Sequence, residues 1–532
     1  MRENFIKYIF ILVILGLISY GVYNVIKQGN EPEEIEVAPQ EIKTTILNEI
    51  RYGICGLDTI NPILSNNRNV QEISKLIYEP LLNITEDYKI TTCLAKEVTK
   101  LNGTSYLIKL RDDVVWQDGN KFTSEDVRFT VDRLKDTASI YSLNVSRVSE
   151  VQVIDDTTVR INLFEEIPFF EYNLTFPIMS NTYYLGEDFA NTPKNSTPVG
   201  TGKYKISDIA DKRITLKQNQ NWWNINNEEC KIQTIYLNLY NSMGEVYNDF
   251  KLGSLDLITT NSSNYEDHVG TIGYNKKEFK QREFDFLVLN AASPFLGTTE
   301  ERQAISYAID KNNAISIVYQ NKNFEASFPL DYGSFLYNEE GLEHIHDSNK
   351  VSELLEHAGW ENVNNSWQVQ ENRKTTKFRI NFVVNASNEQ RRQVAENIAG
   401  QLENEGIEVN LIEANDNTYQ TYLANKDYDM ILTGRVMGYS PNLSTFFGEN
   451  NLANYYNNEI NTINADLKNI ANDENLLKEK FRRLAEINNQ EKIYIGLYRN
   501  RGTVLYSSNL MGNINPNSYN IFYNIGGWYR EY

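Results

Sequence analysis

The side chains of this sequence that could serve as metal ligands, nucleophiles or acid–base pairs are few: four histidines, three cysteines and scattered adjacent acids. His344-Ile-His346 sets two imidazoles close enough to chelate a metal from a loop. No cysteine stands near and the setting is turn-like, so solvated surface is the plainer reading. Glu125-Asp126 resembles a pair of catalytic carboxylates, yet it completes Thr123-Ser-Glu-Asp126, a capping box. Acids in a first helical turn cap free N–H groups and complement the helix dipole. Gly200-Thr-Gly-Lys-Tyr204 resembles a phosphate loop but lacks the first glycine, and Tyr204 stands where Ser or Thr would hold magnesium; it reads as a structural turn. No His-Glu-x-x-His, no Gly-x-Ser-x-Gly and no cysteine pair at metal-site spacing occurs. The chain therefore reads as a non-enzyme without cofactor or metal, a secreted hydrolase being the enzyme-class rival. Cys55, Cys93 and Cys230 leave both one bridge with a free thiol and no bridge at all open.

The elements that would carry a site alternate between strand and helix. Thr104–Arg111 reads as a strand, and 151–155 with 158–163 as a hairpin turning at Asp155-Asp156. Ile214–Gln218, Ile235–Leu239 and Ile407–Ile412 are further strands. A helix follows Thr123 with Val127, Val131 and Leu134 on one face. Ser348 opens another, closed by Gly359; Ser387 opens a third, with Val394, Ile398 and Leu402, stopped near Gly406. Arg302–Lys311 reads as one helix, and 463–489 as a longer helical zone. No repeat of fixed period is present. Mixed strands and helices throughout predict an α/β fold.

The formal charge of −20 argues against nucleic acid as partner. With 41% hydrophobic and 23% charged residues the body is globular, and its length predicts two or three domains. The 34 tyrosines exceed what a core alone requires, and Tyr suits a wet cleft, having a flat face and a polar tip. Tyr8–Ile26 carries no charged side chain. At 1.5 Å per residue, a helix of that length is about 28 Å long and crosses a hydrocarbon core. Arg2 and Lys7 precede it and an acidic, Pro-containing segment (28–41) follows, which places the body outside the cell by the positive-inside rule. A cleaved signal peptide is the alternative, though only Ser19 and Gly21 are small near its end, and the first cysteine, Cys55, is too late for a lipoprotein signal.

Nine segments follow one another in order: Leu57-Asp-Thr-Ile-Asn-Pro62, Ile77-Tyr-Glu-Pro-Leu-Leu82, Leu110–Val127, Ile154–Ile161, Pro198-Val-Gly-Thr-Gly-Lys-Tyr204, Asn221-Trp-Trp223, Leu287-Val-Leu-Asn290, Arg302–Lys311 and Leu354–Trp360. Together they resemble the extracellular solute-binding proteins of family 5, the oligopeptide, dipeptide and nickel binders of ABC importers. The resemblance spans roughly residues 46–530 and implies a two-lobed periplasmic-binding-protein-like fold (type II, cluster C) with an extra domain. Lobe one would take 42–66, 199–284 and the tail from 499; the extra domain 67–198; lobe two 285–498. A span at 1–27 and a linker at 28–41 would precede them. The implied activity is capture of a peptide or peptide-like solute by lobe closure and delivery to ABC permease subunits, by a single-pass, membrane-anchored monomer. A peptide-signal receptor of the same fold and a nickel or metal-chelate binder are the alternatives.

Family peptide binders often carry a Trp and then an Asp after a buried strand of lobe two, the Asp pairing with the peptide amine. Here that strand is Tyr428–Thr433 and the loop is Gly434-Arg-Val-Met-Gly-Tyr-Ser-Pro441. Arg435 takes the Trp position and Gly438 the Asp position. A guanidinium in place of a carboxylate implies a ligand with an anionic group, the plainer reading being that Arg435 pairs with an internal acid or meets solvent. Asn61 and Tyr439 fall where the resemblance puts the cleft rim. Trp116 and Asn385 are weaker ligand-binding candidates, equally suited to packing or turns.

Overall fold

The strand Thr158–Leu163 alternates half-buried and buried side chains, the period of a strand with one wet face. It pairs antiparallel with Val148–Asp155 around the expected turn, and with Ser105–Leu110, which in turn pairs with Ala95–Asn102. This four-stranded sheet is one layer; the helix Ser124–Asp136 packs on it through Val127, Val131 and Leu134. Thr123 and Asp126 form the expected capping box, with the Thr123 amide donating to Asp126 at 2.8 Å.

The computed structural model describes residues 2–29, 45–262, 264–320, 322–371, 373–470 and 473–531. Ile46–Tyr532 forms one unit and the segment up to Thr45 another. In the N-terminal unit a helix runs Arg2–Gly29, and Ile9–Lys27 has a mean hydropathy of 2.3, long and apolar enough to cross a membrane. The acidic segment expected at 28–41 lies, from residue 30 onward, outside the described residues.

The main unit is built on an eleven-stranded mixed sheet. Its order runs Glu408–Ala414, Arg379–Asn385, Met430–Val436, Tyr274–Leu289, Tyr494–Ser507, Leu257–Thr260, Glu49–Cys55, Thr234–Tyr240, Arg213–Gln218, Tyr204–Ala210, and Phe324–Glu325 pairs to the side. Tyr274–Leu289 and Tyr494–Ser507 are the long members. They pair from Tyr274 opposite Ser507 to Lys280 opposite Arg501, lose register, and resume from Phe284 opposite Arg499. Apolar packing follows this line only in part: one cluster lies wholly within residues 287–498, another gathers residues 50–257 with 504–528, and a third joins Ile84, Tyr88, Tyr172 and Tyr519 to residues 284–494.

Three helix boundaries differ from expectation, each for a local reason. Asn388, not Ser387, caps Glu389–Asn404, its side chain accepting from the Arg391 amide. Asp347, not Ser348, caps Ser348–His357. Arg302–Lys311 is not one helix: Thr299–Ala308 ends there, and Asp310 caps a new helix, Lys311–Tyr319. A side chain that accepts from the first amides fixes a helix start more firmly than apolar spacing does. The zone 463–489 is likewise two helices, Asn458–Asn469 and Glu474–Glu491. Gly406, at φ +80°, ends its helix where a Cβ would be strained. All three cysteines are free thiols.

Candidate functional site

The helix Arg68–Ile77 buries Val70, Ile73, Leu76 and Ile77, which leaves Arg68, Glu72 and Lys75 aligned on another face at spacings of four and three. Arg68 Nε donates to Glu72 at 2.8 Å and its Nη1 to Asn261 at 2.6 Å. The Gln281 amide oxygen, turned toward Arg68, accepts from both terminal guanidinium nitrogens at 3.0 Å. Tyr52 donates to the other Glu72 oxygen at 3.3 Å. Glu72 and Arg68 are thus fully engaged. The Lys75 ammonium instead lies 4.1 Å above the Tyr519 ring, and no hydrogen bond or ion pair reaches it among the described residues.

Four segments meet around it. Tyr519 comes from the C-terminal segment and packs edge-on against Tyr439 at 5.0 Å. Tyr439 donates to the Ser518 carbonyl at 2.8 Å and stacks at 6.2 Å on Tyr88. Arg282, from the long strand Tyr274–Leu289, sits 4.2 Å over the Tyr439 ring and donates to the Met437 carbonyl at 2.8 Å. Tyr141 donates to Gln71, one turn before Lys75, at 2.6 Å. Lys75, Tyr141 and Tyr439 are half-buried. Burial pulls the Lys75 ammonium down to about 7, with Arg282 and Arg68 adding repulsion and Glu72 opposing. Burial also pushes the Tyr439 phenol up to about 12 and raises Tyr141 and Tyr519. Side chains from these four segments are thus packed around one ammonium, a cluster termed the recess.

The residues singled out from sequence separate in space. Tyr439 stands in this recess. Gly438 precedes it on the surface, where a Cβ would meet only the Ser440 backbone nitrogen, at 3.9 Å. Arg435 is exposed on the strand Met430–Val436, in register with Phe284, and no acid lies within bonding distance among the described residues. The internal ion pair that its plainer reading allowed is not formed; solvent surrounds it. Asn61 is fully buried and bonds Asn195 at 2.9 Å and the Ile63 amide at 3.0 Å. Trp116 is fully buried and donates to Asp126 at 3.2 Å. Asn385 bonds Asp416 at 2.8 Å and the Ser387 amide at 2.9 Å, which makes a turn. The structure thus engages the polar atoms of these three in the scaffold, away from Lys75. His344 and His346 each bond a backbone carbonyl, of Ile309 and Tyr307. Among the described residues no group of three His, Cys, Asp or Glu is placed to hold a metal.

Residues 89–456 match the family described as bacterial extracellular solute-binding proteins, family 5 Middle. The chain belongs to that family. Heme-binding protein A of Haemophilus influenzae is 25% identical over 471 residues, 80% of this chain and 81% of that protein. Oligopeptide-binding protein AppA of Bacillus subtilis is 22% identical over 515 residues, 87% of this chain and 88% of that protein. Among solved structures, HbpA2 from Haemophilus parasuis gives a TM-score of 0.76 at 19% identity, covering 89% of this chain and 99% of that one. These likenesses establish the two-lobed fold. The family 5 sequence motifs prove to be interlocking scaffold. Glu79 accepts from the Trp222 and Trp223 indoles at 2.9 and 3.1 Å. Gln117 bridges the Gly200 amide and the Tyr204 carbonyl. Trp360 donates to Glu301 at 3.0 Å.

Sequence reading missed Arg68, Lys75, Tyr141, Arg282 and Tyr519. The signal for the first two was present: a charged face at helical spacing just ahead of Ile77-Tyr-Glu-Pro. The others are single residues from distant segments, joined only by the fold.

Proposed function

We propose that this family 5 solute-binding protein captures a peptide or peptide-like solute bearing an anionic group, and passes it to an ABC importer. The observation that carries the reading is the recess where Lys75, Tyr141, Tyr439 and Tyr519 converge beside Arg282, at the register break of the two long strands. Rings and hydroxyls of that kind hold a peptide main chain while tolerating varied side chains. Lys75, which no acid bonds among the described residues, supports an anionic group on the solute, and oligopeptide and dipeptide binders among the relatives support its peptide nature.

The two long strands serve as the hinge: lobe one comprises 42–66, 199–284 and the tail from 499, lobe two 285–498, with the extra domain at 67–198. Two apolar clusters follow this division, and a third, which joins Tyr88, Tyr172 and Tyr519 to residues 284–494, bridges it. Closure follows from differential binding, since a solute touching both lobes stabilises the closed form more than the open one. The helix at Arg2–Gly29 acts as an uncleaved anchor that keeps the body outside the cell, beside its permease; its length and apolarity support that role. The test is mass spectrometry of whatever co-purifies with the native protein. A retained peptide supports the reading, and retention of a metal chelate or a porphyrin instead overturns it.

A further inference from the structure

We propose that the Lys75 ammonium is the receptor for an anionic group of the solute, a peptide carboxylate, seated against the rings of Tyr519, Tyr439 and Tyr141. This rests on the peptide reading above and assigns the group that reads the ligand's charge.

The case begins with partners. Each cation beside Lys75 is engaged: Arg68 by Glu72, Asn261 and Gln281, and Arg282 by the Met437 carbonyl and the Tyr439 ring. Lys75 has only the face of Tyr519 among the described residues. Its nearest acid, Glu72, is held by Arg68 and Tyr52. An ammonium that is crowded by protein and lacks an acceptor is costly unless a partner arrives. The aromatic face offsets part of that cost and leaves the remaining N–H donors directed away from the ring.

The surroundings select the sign of the guest. The titratable and charged groups around Lys75 are Arg68 and Glu72 on its own helix, Arg282 on the long strand, and Tyr519 on the C-terminal segment. Tyr439, Tyr141 and Cys93 surround Tyr519 in turn. Two arginines against one carboxylate leave the recess positive, although the chain as a whole carries −20. A carboxylate entering the recess meets an attractive local field and restores the proton that burial weakens on Lys75.

The experiment uses the purified protein and an enzymatic casein hydrolysate, before and after methyl esterification of its carboxylates. The concentration needed for half the maximal rise in Tm is measured. The acid pool is expected to act on wild type at about tenfold lower concentration than the ester pool. Lys75→Met should lose that tenfold preference, and Lys75→Arg should keep it. Between about pH 6 and pH 9 the wild-type midpoint should rise as Lys75 loses its proton, and that of Lys75→Arg should stay flat. Should Lys75→Met fail to fold, the ester pool and the pH series on Lys75→Arg still decide. A wild type that ignores both pools overturns the peptide reading and this assignment together. A wild type that responds, with no preference for the acid pool or with Lys75→Met equally responsive, overturns the assignment alone.

Discussion

Gly434 shows how one missing side chain makes room for an ion pair. A Cβ there would lie 1.8 Å from Arg391 Nη2 and 2.2 Å from Asp285 Oδ1. Arg391 grips Asp285 through two bonds of 2.6 and 2.8 Å, and Tyr498 donates to the same carboxylate at 2.6 Å. Gly434→Ala should separate this buried pair and destabilise the protein by about 3–5 kcal/mol, read by urea unfolding. The conservative Arg391→Lys should also lose stability, because an ammonium cannot reproduce the fork. His344 gives a pH signature. Burial and the Lys311 charge hold its imidazole down at about 3 against an ordinary 6.5, so the native state stays neutral where the unfolded chain takes up a proton. Its stabilising contribution is complete above pH 6.5 and is lost progressively toward pH 3. The slope is at most about 1.4 kcal/mol per pH unit. His344→Gln, which can still donate to the Ile309 carbonyl, should flatten the acid limb of a stability–pH curve.

Elements make sense of the motifs. The turn at Gly200–Gly202 presses on the end of the helix Arg68–Ile77: a Cβ on Gly200 would lie 1.9 Å from the Ile77 carbonyl oxygen, and the Gly202 amide donates to that oxygen at 2.8 Å. This contact sets the pitch of the helix that presents Lys75. Gly200→Ala should therefore weaken solute binding as well as stability, seen as a shifted binding midpoint in protein that still folds at low temperature. Glu79, raised to about 7 by burial, holds the two indoles from the next motif. Its native form keeps a proton that the unfolded chain has released between pH 4.5 and about 7, so this contribution falls as pH rises through that window. Much of this scaffold was legible, because strand alternation at 158–163 and the Thr123 capping box are local patterns. The helix starts at Asn388 and Asp347 were displaced by one residue, because apolar spacing leaves open which of two adjacent polar residues supplies the cap. The recess was less legible. Tyr439 was found through its loop, but Tyr141 and Tyr519 lie 378 positions apart in the sequence and no periodicity links them.

At the scale of the molecule, the proposed motion turns on the register break between Lys280 and Phe284 in the long strand pair. Beside it, Arg499 and Asp331 form a fully buried ion pair, with Arg499 also 4.6 Å over the Phe284 ring. By the proposed boundaries this pair joins Asp331 of lobe two to Arg499, the first residue of the lobe-one tail, so it stands at the hinge itself. Small-angle scattering should show a smaller radius of gyration with the acid hydrolysate than without it, and an unchanged profile would refute the hinge. Removing residues 2–29 should release the protein from the membrane fraction with its solute midpoint intact, as judged by fractionation and thermal shift. Finally, the topology constrains the order of events in the chain's life. Strand Tyr494–Ser507, close to the end, pairs with both Leu257–Thr260 and Tyr274–Leu289. Without Tyr494 onward neither pairing exists, so the two flanking strands stay unjoined until this one strand docks between them. The central sheet is therefore zipped shut by a late-arriving member, and whatever holds that member back holds the whole body open.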